Sequence, residues 1–478
     1  MDYNSLLTGE ISLNFNSILQ SKKGCLLIFL ISFQIFPQLD SSKLNQYNLV
    51  ADQITRKALT EKTGYKLLQE LCVIGPRLSG SENSLCAIYW AKEKLENFGV
   101  DKVWLQPVMV PHWKRGSVET AEIVKENGTN GKSLNILSLG VSVATTENGI
   151  TANIIEVKNF TELKERQNEV NGKIVFFSRP LDESLLNTFA GYGGAVDQRF
   201  YGAMEASKYG AVAVLIRSIT TKYDNVPHTG VMGYVDSLQK IPAAAVGFLD
   251  SDYLHNALID DSNLLIKLKL NCKTFPDAQS YNVIAEITGT EFPDEIIVVG
   301  SHFDSWDVGC GAHDDGAGCV QSMEVLSLIK ELGIKPKRTI RCVLFINEEN
   351  GSRGGKEYGK FVETNNENHL AAIESDRGGF TPIGFDVDTD SSTLNKIKSW
   401  LTVLEKSGIN WIKKGGSGVD IQYIKNTKAK LGYVPDAQRY MDVHHSANDT
   451  FESVHPRELE LGSASIAIMA YLISEEGI

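Results

Sequence analysis

From residue 281 onward, the chain alternates between short apolar runs and segments with helical spacing. The apolar runs are YNVIAEITG (281–289), EIIVVG (295–300), TIRCVLFIN (339–347) and LAAIE (370–374). Segments with helical spacing lie at 316–332, 355–363, 391–407 and 456–474. Apolar strands of this kind occur in sheets that are covered by helices on both faces. We therefore predict an α/β fold, with a mixed central sheet between two layers of helices.

The middle of the chain, between about residues 110 and 275, has a different pattern. Short β-like runs such as 150–157 and 172–178 are separated by turn residues, and residues 198–209 have helical spacing. This mixture indicates a separate α/β or mostly-β insert. Residues 45–100, which precede the insert, are predicted to be helical, with a loop at GPRLSGS (75–81).

Charge and one apolar run restrict the partners and the compartment. The 478 residues carry a formal net charge of -12, which argues against nucleic acid and anionic membranes as partners. The longest apolar run, 25–36, follows Lys22 and Lys23 and is too short for a stable membrane span. It fits a secretory signal peptide; a signal anchor and a buried helix are the alternatives.

Cysteines and glycosylation sequons add two expectations. Seven cysteines are too few for a disulfide scaffold, so one or two pairs can form, with a connectivity that the sequence does not give. The sequons at Asn127 and Asn159 fall in predicted loops and fit a secreted chain. Those at Asn350 and Asn448 fall within the motifs of the candidate site, where a glycan would crowd the cleft.

Ionisable residues stand where the predicted strands end or where helices begin. They are His302, Asp304, Asp314, Glu348, Glu349, Asp376, His444 and His445. A single such cluster is commonly only a polar cap, and Asp314–Asp315 before Gly316 could be a helix N-cap. Functional sites of covered sheets lie beyond the strand ends, so all the clusters can meet at one edge. Their occurrence together in one alternating domain favours a functional site.

Imidazole and carboxylate groups are the ligands that zinc takes in catalytic sites. Two zinc ions about 3.5–4 Å apart can share one bridging carboxylate and one water. Five metal ligands and one free glutamate, acting as the base, would complete such a two-zinc site. His302 and Asp304 are two residues apart, so within a strand they would point the same way, and Asp304 could hold His302 from behind.

Four segments resemble the di-zinc aminopeptidase and glutamate-carboxypeptidase family. They are SHFDSWDVGCGAHDDGAG (301–318), NEENGSRGG (347–355), ESDRGGF (374–380) and HHSANDT (444–450). The resemblance covers roughly residues 65–475 and implies a zinc exopeptidase fold with an inserted protease-associated domain. The predicted divisions are a signal-peptide region (1–40), the N-terminal part of the peptidase domain (41–110), the insert (111–275) and the catalytic domain (276–478).

The resemblance also implies a role for each residue of the site. One zinc would be bound by His302 and Asp376, the other by Glu349 and His445, and Asp314 would bridge them. Glu348 would be the general base and acid, with Asp304 as the partner of His302. Tyr440 matches a family tyrosine near the site, and an oxyanion role for it is a hypothesis.

His445 is preferred to His444 as a ligand because the family histidine stands four residues before an aspartate, here Asp449. In an extended segment the two adjacent histidines would point to opposite sides. His313 and Cys310 depart from the family pattern in the loop that carries Asp314. They could be simple loop variation, or they could add a ligand or tune specificity.

From this family we expect two zinc ions per chain, short peptides as substrates, a homodimer and a secreted or lysosomal location. The predicted activity is hydrolysis of dipeptides or short peptides, as in a carboxypeptidase or dipeptidase. The alternatives are an aminopeptidase, a mono-zinc transferase of the glutaminyl cyclase type and an inactive receptor-like binding protein. No member of the two-metal set is missing, which favours the peptidase.

Overall fold

The computed structural model of the protein describes residues 40–124 and 130–478. The predicted signal-peptide segment and the sequon at Asn127 lie outside the described residues. The helices are α1 (Ser41–Glu61), α2 (Thr63–Ile74), α3 (Glu82–Asn97), α4 (Phe160–Glu165), α5 (Thr188–Gly193), α6 (Val196–Ser207), α7 (Phe248–Asp260), α8 (Ala317–Glu331), α9 (Arg353–Thr364), α10 (Ser391–Lys398), α11 (Leu401–Leu404) and α12 (Pro456–Glu476).

The strands form two sheets that belong to one compact unit. The strands are β1 (Lys102–Lys114), β2 (Glu119–Val124), β3 (Asn130–Leu134), β4 (Ile136–Ser138), β5 (Ile150–Val157), β6 (Ile174–Phe177), β7 (Ala213–Arg217), β8 (Ala243–Val246), β9 (Leu265–Leu270), β10 (Lys273–Ile287), β11 (Phe292–His302), β12 (Arg338–Phe345), β13 (Asn368–Glu374), β14 (Pro382–Asp388), β15 (Trp411–Lys414) and β16 (Ala429–Pro435).

The first sheet has the order β1-β10-β12-β11-β13-β16-β14-β15. Its centre, β12-β11-β13-β16, is parallel, and β1 and β10 pair antiparallel with their neighbours. Strand β14 pairs antiparallel with β16 and parallel with β15. Along β11, Ile297 and Val299 pack against one hydrophobic core and Ile296 and Val298 against another. Strands that are apolar on both faces need helices on both faces. The predicted mixed α/β sheet is therefore confirmed.

The first of these cores holds α1, α2, α3, α8 and α12, and the second holds α9. The helix α8 is buried along almost its whole length, because it lies between the sheet and the helices α2 and α12. Among the described residues, no helix is long and apolar enough to cross a membrane.

The second sheet uses only strands between Glu119 and Leu270, in the order β3-β2-β9-β5-β6-β7-β8-β4. The chain leaves the first sheet at Lys114 and returns to it at Lys273, and these two residues are paired in the β1–β10 ladder. The segment between them is thus an expanded connection between two neighbouring antiparallel strands. That this segment is a protease-associated domain stays a prediction.

Two features of the fold differ from the sequence patterns. The predicted helix 391–407 is interrupted between α10 and α11, where the side chain of Trp400 is fully buried. The strands β14, β15 and β16, which lie toward one side of the sheet, were not predicted, because partly exposed positions interrupt their apolar residues.

Candidate metal centre

Three neighbouring parallel strands bring the candidate ligands to one edge of the first sheet. His302 is the last residue of β11, Glu348 and Glu349 follow β12, and Asp376 follows β13. In the ladder, His302 is level with Phe345 of β12, so the strand ends lie side by side. The carboxyl ends of parallel strands point to the same edge, which is where such sheets bind ligands.

Asp314 lies at the centre of this cluster. Its Oδ1 is 3.2 Å from Nε2 of His302, and its Oδ2 is 3.3 Å from Nε2 of His445. His302 Nε2 is also 3.4 Å from Oδ1 of Asp376, and His445 Nε2 is 3.0 Å from Oε2 of Glu349. The carboxylate of Asp314 thus lies between two groups of ligands, each with one imidazole and one further carboxylate.

The loop 303–316 that positions Asp314 is held by Arg77 and Asp449. The fully buried guanidinium of Arg77 donates hydrogen bonds to the carbonyl oxygens of Phe303, Cys310 and Gly311. The Asp449 carboxylate accepts hydrogen bonds from the backbone N–H groups of His313 (2.7 Å) and Asp314 (3.0 Å). These contacts fix both ends of the loop.

The donor atoms fit a divalent cation. Within the described part of the chain, Asp314 Oδ2 and Glu349 Oε1 are buried without a hydrogen-bond partner. Asp314 belongs to two groups of side chains close enough to hold a metal ion, one with His302 and Glu349 and one with the two histidines at 444 and 445. Because unpaired buried charges are costly and zinc takes imidazole and carboxylate ligands, the cluster suits zinc.

Electrostatics support this assignment. Burial, and then the carboxylate of Asp314, raise the pKa of Glu349 well above its usual range. Burial likewise raises the pKa of Glu348. For Asp314, burial is outweighed by contacts with His302, His445 and His444, which lower its pKa. The site has more buried carboxylates than cationic side chains to balance them, so cations would stabilise its charged form.

The adjacent histidines do not point to opposite sides, so that expectation is wrong. His445 has a positive φ of 58°, and the two rings stack with centroids 3.6 Å apart. Both imidazoles therefore line the same pocket. His444 Nε2 is 3.8 Å from Asp314, farther than His445 Nε2, and the contact with Glu349 is made by His445.

Asp304 contacts His302, but mainly through its backbone. His302 Nδ1 lies 3.0 Å from the carbonyl oxygen of Asp304 and 3.9 Å from its carboxylate. The strand ends at His302, so the two side chains do not follow strand alternation. The Asp304 carboxylate instead accepts a hydrogen bond from the backbone N–H of Glu348 (2.9 Å), and it thereby positions the segment after β12.

Tyr440 lines the pocket, whereas His313 does not. The ring of Tyr440 lies 5.2 Å from that of His444 and stacks on Phe189. His313 stacks on Phe380 at 4.2 Å, and its Nδ1 accepts a hydrogen bond from the backbone N–H of Gly379. This position gives His313 a packing role.

Residues of the second sheet's segment form the opposite wall of the pocket. The side chains that it contributes include Val141, Phe189, Tyr192, Arg199, Phe200, Val231 and Met232. The most informative of them, Arg199, was missed by sequence analysis. Its only sequence signal was a position in a predicted helix that lies far from every metal-ligand motif.

Comparisons with known proteins agree with this geometry. Residues 282–468 match the family model described as Peptidase family M28. The chain is similar to carboxypeptidase Q of Homo sapiens, with 37% identity over 403 residues, 84% of this chain and 83% of the relative. Carboxypeptidase Q of Bos taurus is 35% identical over 438 residues, 91% of this chain and 90% of the relative.

Solved structures show the same fold. A peptidase M28 precursor from Shewanella amazonensis SB2B has a TM-score of 0.86 and 34% identity, covering 91% of this chain and 98% of that one. A zinc aminopeptidase from Bacillus subtilis has a TM-score of 0.64 at 20% identity, covering 87% and 95% of the two chains, a likeness of fold alone.

The fold and the site define a metallo-exopeptidase, which is a hydrolase. The candidate metal ligands, Glu348 and Tyr440 lie within the matched segment, whereas the pocket wall that includes Arg199 precedes it. The chain belongs to peptidase family M28, and carboxypeptidase Q is its relative over most of its length.

Proposed function

We propose that the protein is a di-zinc carboxypeptidase or dipeptidase that acts on short peptides. One zinc would be bound by His302 and Asp376 and the other by Glu349 and His445, with Asp314 between them. Asp314 contacts His302 through one carboxylate oxygen and His445 through the other, which supports a bridging role. Bound zinc would supply Lewis-acid activation of the attacking water and of the peptide carbonyl.

Glu348 is the proposed general base. It is half-buried and lines the pocket, and its carboxylate accepts no hydrogen bond from the described residues. Burial raises its pKa above the usual range of a glutamate, which is the direction that helps a carboxylate to take up a proton and return it. Glu348 would take a proton from the attacking water and then deliver it to the nitrogen of the leaving amine.

Arg199 is the observation that favours a carboxypeptidase over an aminopeptidase. It lines the pocket and is only 7% exposed, yet it forms no ion pair with any Asp or Glu of the described residues. Its Nη1 lies 3.3 Å from the carbonyl oxygen of Thr229 and 3.3 Å from Nδ1 of His445, and its Nε is buried without a partner in the same part of the chain. A buried guanidinium without a counter-charge is costly. The carboxylate at the end of a peptide would balance it.

Apolar side chains on the same wall indicate which substrate side chains the pocket would bind. Phe189, Phe200, Val231 and Met232 line the same pocket as Arg199 and the candidate metal ligands. Desolvated apolar walls bind apolar side chains. The proposed substrates are therefore dipeptides with an apolar residue and a free carboxyl end.

A panel of dipeptides with one end blocked tests this function. We expect N-acetylated peptides to be cleaved and C-amidated ones to resist. Arg199→Met should raise KM for peptides with a free carboxylate by about 10- to 100-fold, the size of a lost charged hydrogen bond. Arg166→Met removes an arginine that pairs with Glu169 on the surface and serves as the control. Rapid cleavage of amidated peptides with resistance of acetylated ones would instead establish an aminopeptidase.

The location and the oligomeric state are part of the proposal and rest on the resemblance. We propose entry into the secretory pathway, with secretion or lysosomal targeting, and a homodimer. Asn159 is exposed and could carry a glycan. The side chains of Asn350 and Asn448 form hydrogen bonds with Ser79 and Asp224, which leaves them poor glycan acceptors. Glycan mapping and sedimentation would check these points.

A further inference from the structure

Two cysteines lie together beside the loop that carries Asp314. Cys72 is in the last turns of α2, and Cys310 is in the loop, 238 residues further along the chain. Their Sγ atoms are 2.7 Å apart, and both residues are partly exposed. Among the described cysteines this is the one pair in contact: Cys272, Cys319 and Cys342 are buried elsewhere, and Cys86 is exposed.

The backbone of Cys310 is part of the framework that holds Asp314. Its N–H donates to the carbonyl oxygen of Asp449 (2.9 Å), and its carbonyl accepts from Arg77. Asp449 in turn accepts the N–H of Asp314 through its carboxylate. A covalent bond at Cys310 would therefore attach this framework to α2, which packs against α8 and the loop.

We propose that Cys72 and Cys310 form a disulfide bond that fixes the Asp314 loop to helix α2. A small-molecule disulfide such as oxidised glutathione would be the oxidant. The Cys310 thiolate attacks one of its sulphur atoms and releases one thiol. The Cys72 sulphur then attacks Cys310, which closes the protein disulfide and releases the second thiol. The two cysteines lose two protons and two electrons, which the oxidant gains.

The surroundings of the pair favour this reaction. The contact with Cys72, together with the positive charge of Arg77, lowers the pKa of the Cys310 thiol, although burial opposes the shift. A thiolate is the form that attacks disulfides. Because both residues are partly exposed, a small oxidant can reach the pair.

Peptide mapping of the full-length protein tests the bond directly. The protein is equilibrated with oxidised and reduced glutathione, denatured without reductant, alkylated and digested. We expect a linked peptide that contains Cys72 and Cys310 and is lighter than its reduced halves by two hydrogen atoms. Complete alkylation of both cysteines, with no linked peptide, would overturn the proposal.

The effect on the loop has its own measurement. It rests on the proposed ligand role of Asp314, whereas the bond itself does not. Cys310→Ser and Cys72→Ser should each speed zinc loss to a chelator by about tenfold or more, and reductant should do the same to the wild type. Cys86→Ser is the matched control and should change nothing. A mapped bond with unchanged zinc loss would refute the fixing of the loop. If Asp314→Ala kept both zinc ions while the linked peptide was found, the proposed ligand set would fail and the disulfide would stand.

Discussion

The indole ring of Trp306 lies directly against Gly140, so that the Asp314 loop is packed into the core of the second sheet. Trp306 is 2% exposed and shares a hydrophobic cluster with Trp113 and Ile154. Its ring is also 5.7 Å from that of His445. A Cβ atom on Gly140 would overlap the indole. Trp306 is therefore one of the side chains that fix the wall of the pocket to the cluster of candidate ligands.

Gly140→Ala should damage the site without touching a ligand. The added methyl group must displace Trp306, and overpacking of this kind costs about 1–3 kcal/mol. We expect a lower free energy of unfolding in urea and a lower kcat/KM. Gly416→Ala is the control, because a Cβ at Gly416 meets no atom within 4 Å. Equal behaviour of the two variants would show that the packing of Trp306 does not matter.

Glu348→Gln should retain the metal and the fold but lose turnover. The amide occupies the same space and cannot accept the proton, and loss of a general base typically lowers kcat by about 10²–10⁴-fold. Steady-state kinetics and zinc content are measured on the same preparation. Glu363→Gln, on the exposed side of α9 where Glu363 pairs with Lys425, is the control. A near-normal kcat for Glu348→Gln would remove it from the mechanism.

The two histidines should differ in their effect on metal content. His445 contacts both Asp314 and Glu349, whereas His444 is 3.8 Å from Asp314 and stacks on His445. We expect the zinc content of His445→Ala to fall toward one ion per chain, with loss of activity. His444→Ala should retain two zinc ions and show a changed KM. Mass spectrometry of the native proteins decides, and the reverse pattern would assign the ligand to His444.

His369, which is far in sequence from every ligand except Asp376, should contribute to acid unfolding. It is buried, and its Nε2 lies within hydrogen-bond distance (2.9 Å) of the hydroxyl of Tyr358. Burial, and then the positive charge of Arg341, lower its pKa to about 3 from 6.5. Protonation thus favours the unfolded chain. This part of the stability is complete above about pH 6.5 and is lost as the pH falls toward 3.

In the variant His369→Gln, the glutamine side chain can still form a hydrogen bond with the hydroxyl of Tyr358, but it does not titrate. We therefore measure the free energy of unfolding of the metal-free protein in urea between pH 7 and 4. It should fall less steeply with decreasing pH for this variant than for the wild type. The metal-free form is used because protonation of zinc ligands would add its own pH dependence. Parallel curves would show that His369 is not a source of the acid sensitivity.

The sheet and the position of ionisable side chains at its edge could be predicted because both depend on local patterns. The run EIIVVGSH shows a strand apolar on both faces, with His302 at its end, and the structure agrees. His444 and His445 could not be placed, because the positive φ of His445 depends on tertiary packing. Arg199 could not be identified, because the sequence does not distinguish a buried arginine that lacks an acidic partner from any polar residue of a surface helix.

The pairing of Lys114 with Lys273 has a consequence for how the chain folds. Strands β1 and β10 form a hairpin whose turn is the whole second sheet with its helices. Closing a hairpin across an unfolded segment of that length costs about 4 kcal/mol more than across a two-residue turn, because closure entropy grows with the logarithm of loop length. If the second sheet forms first, its two ends already lie side by side and most of that cost disappears. The pairing of β1 with β10 would then follow the assembly of the second sheet.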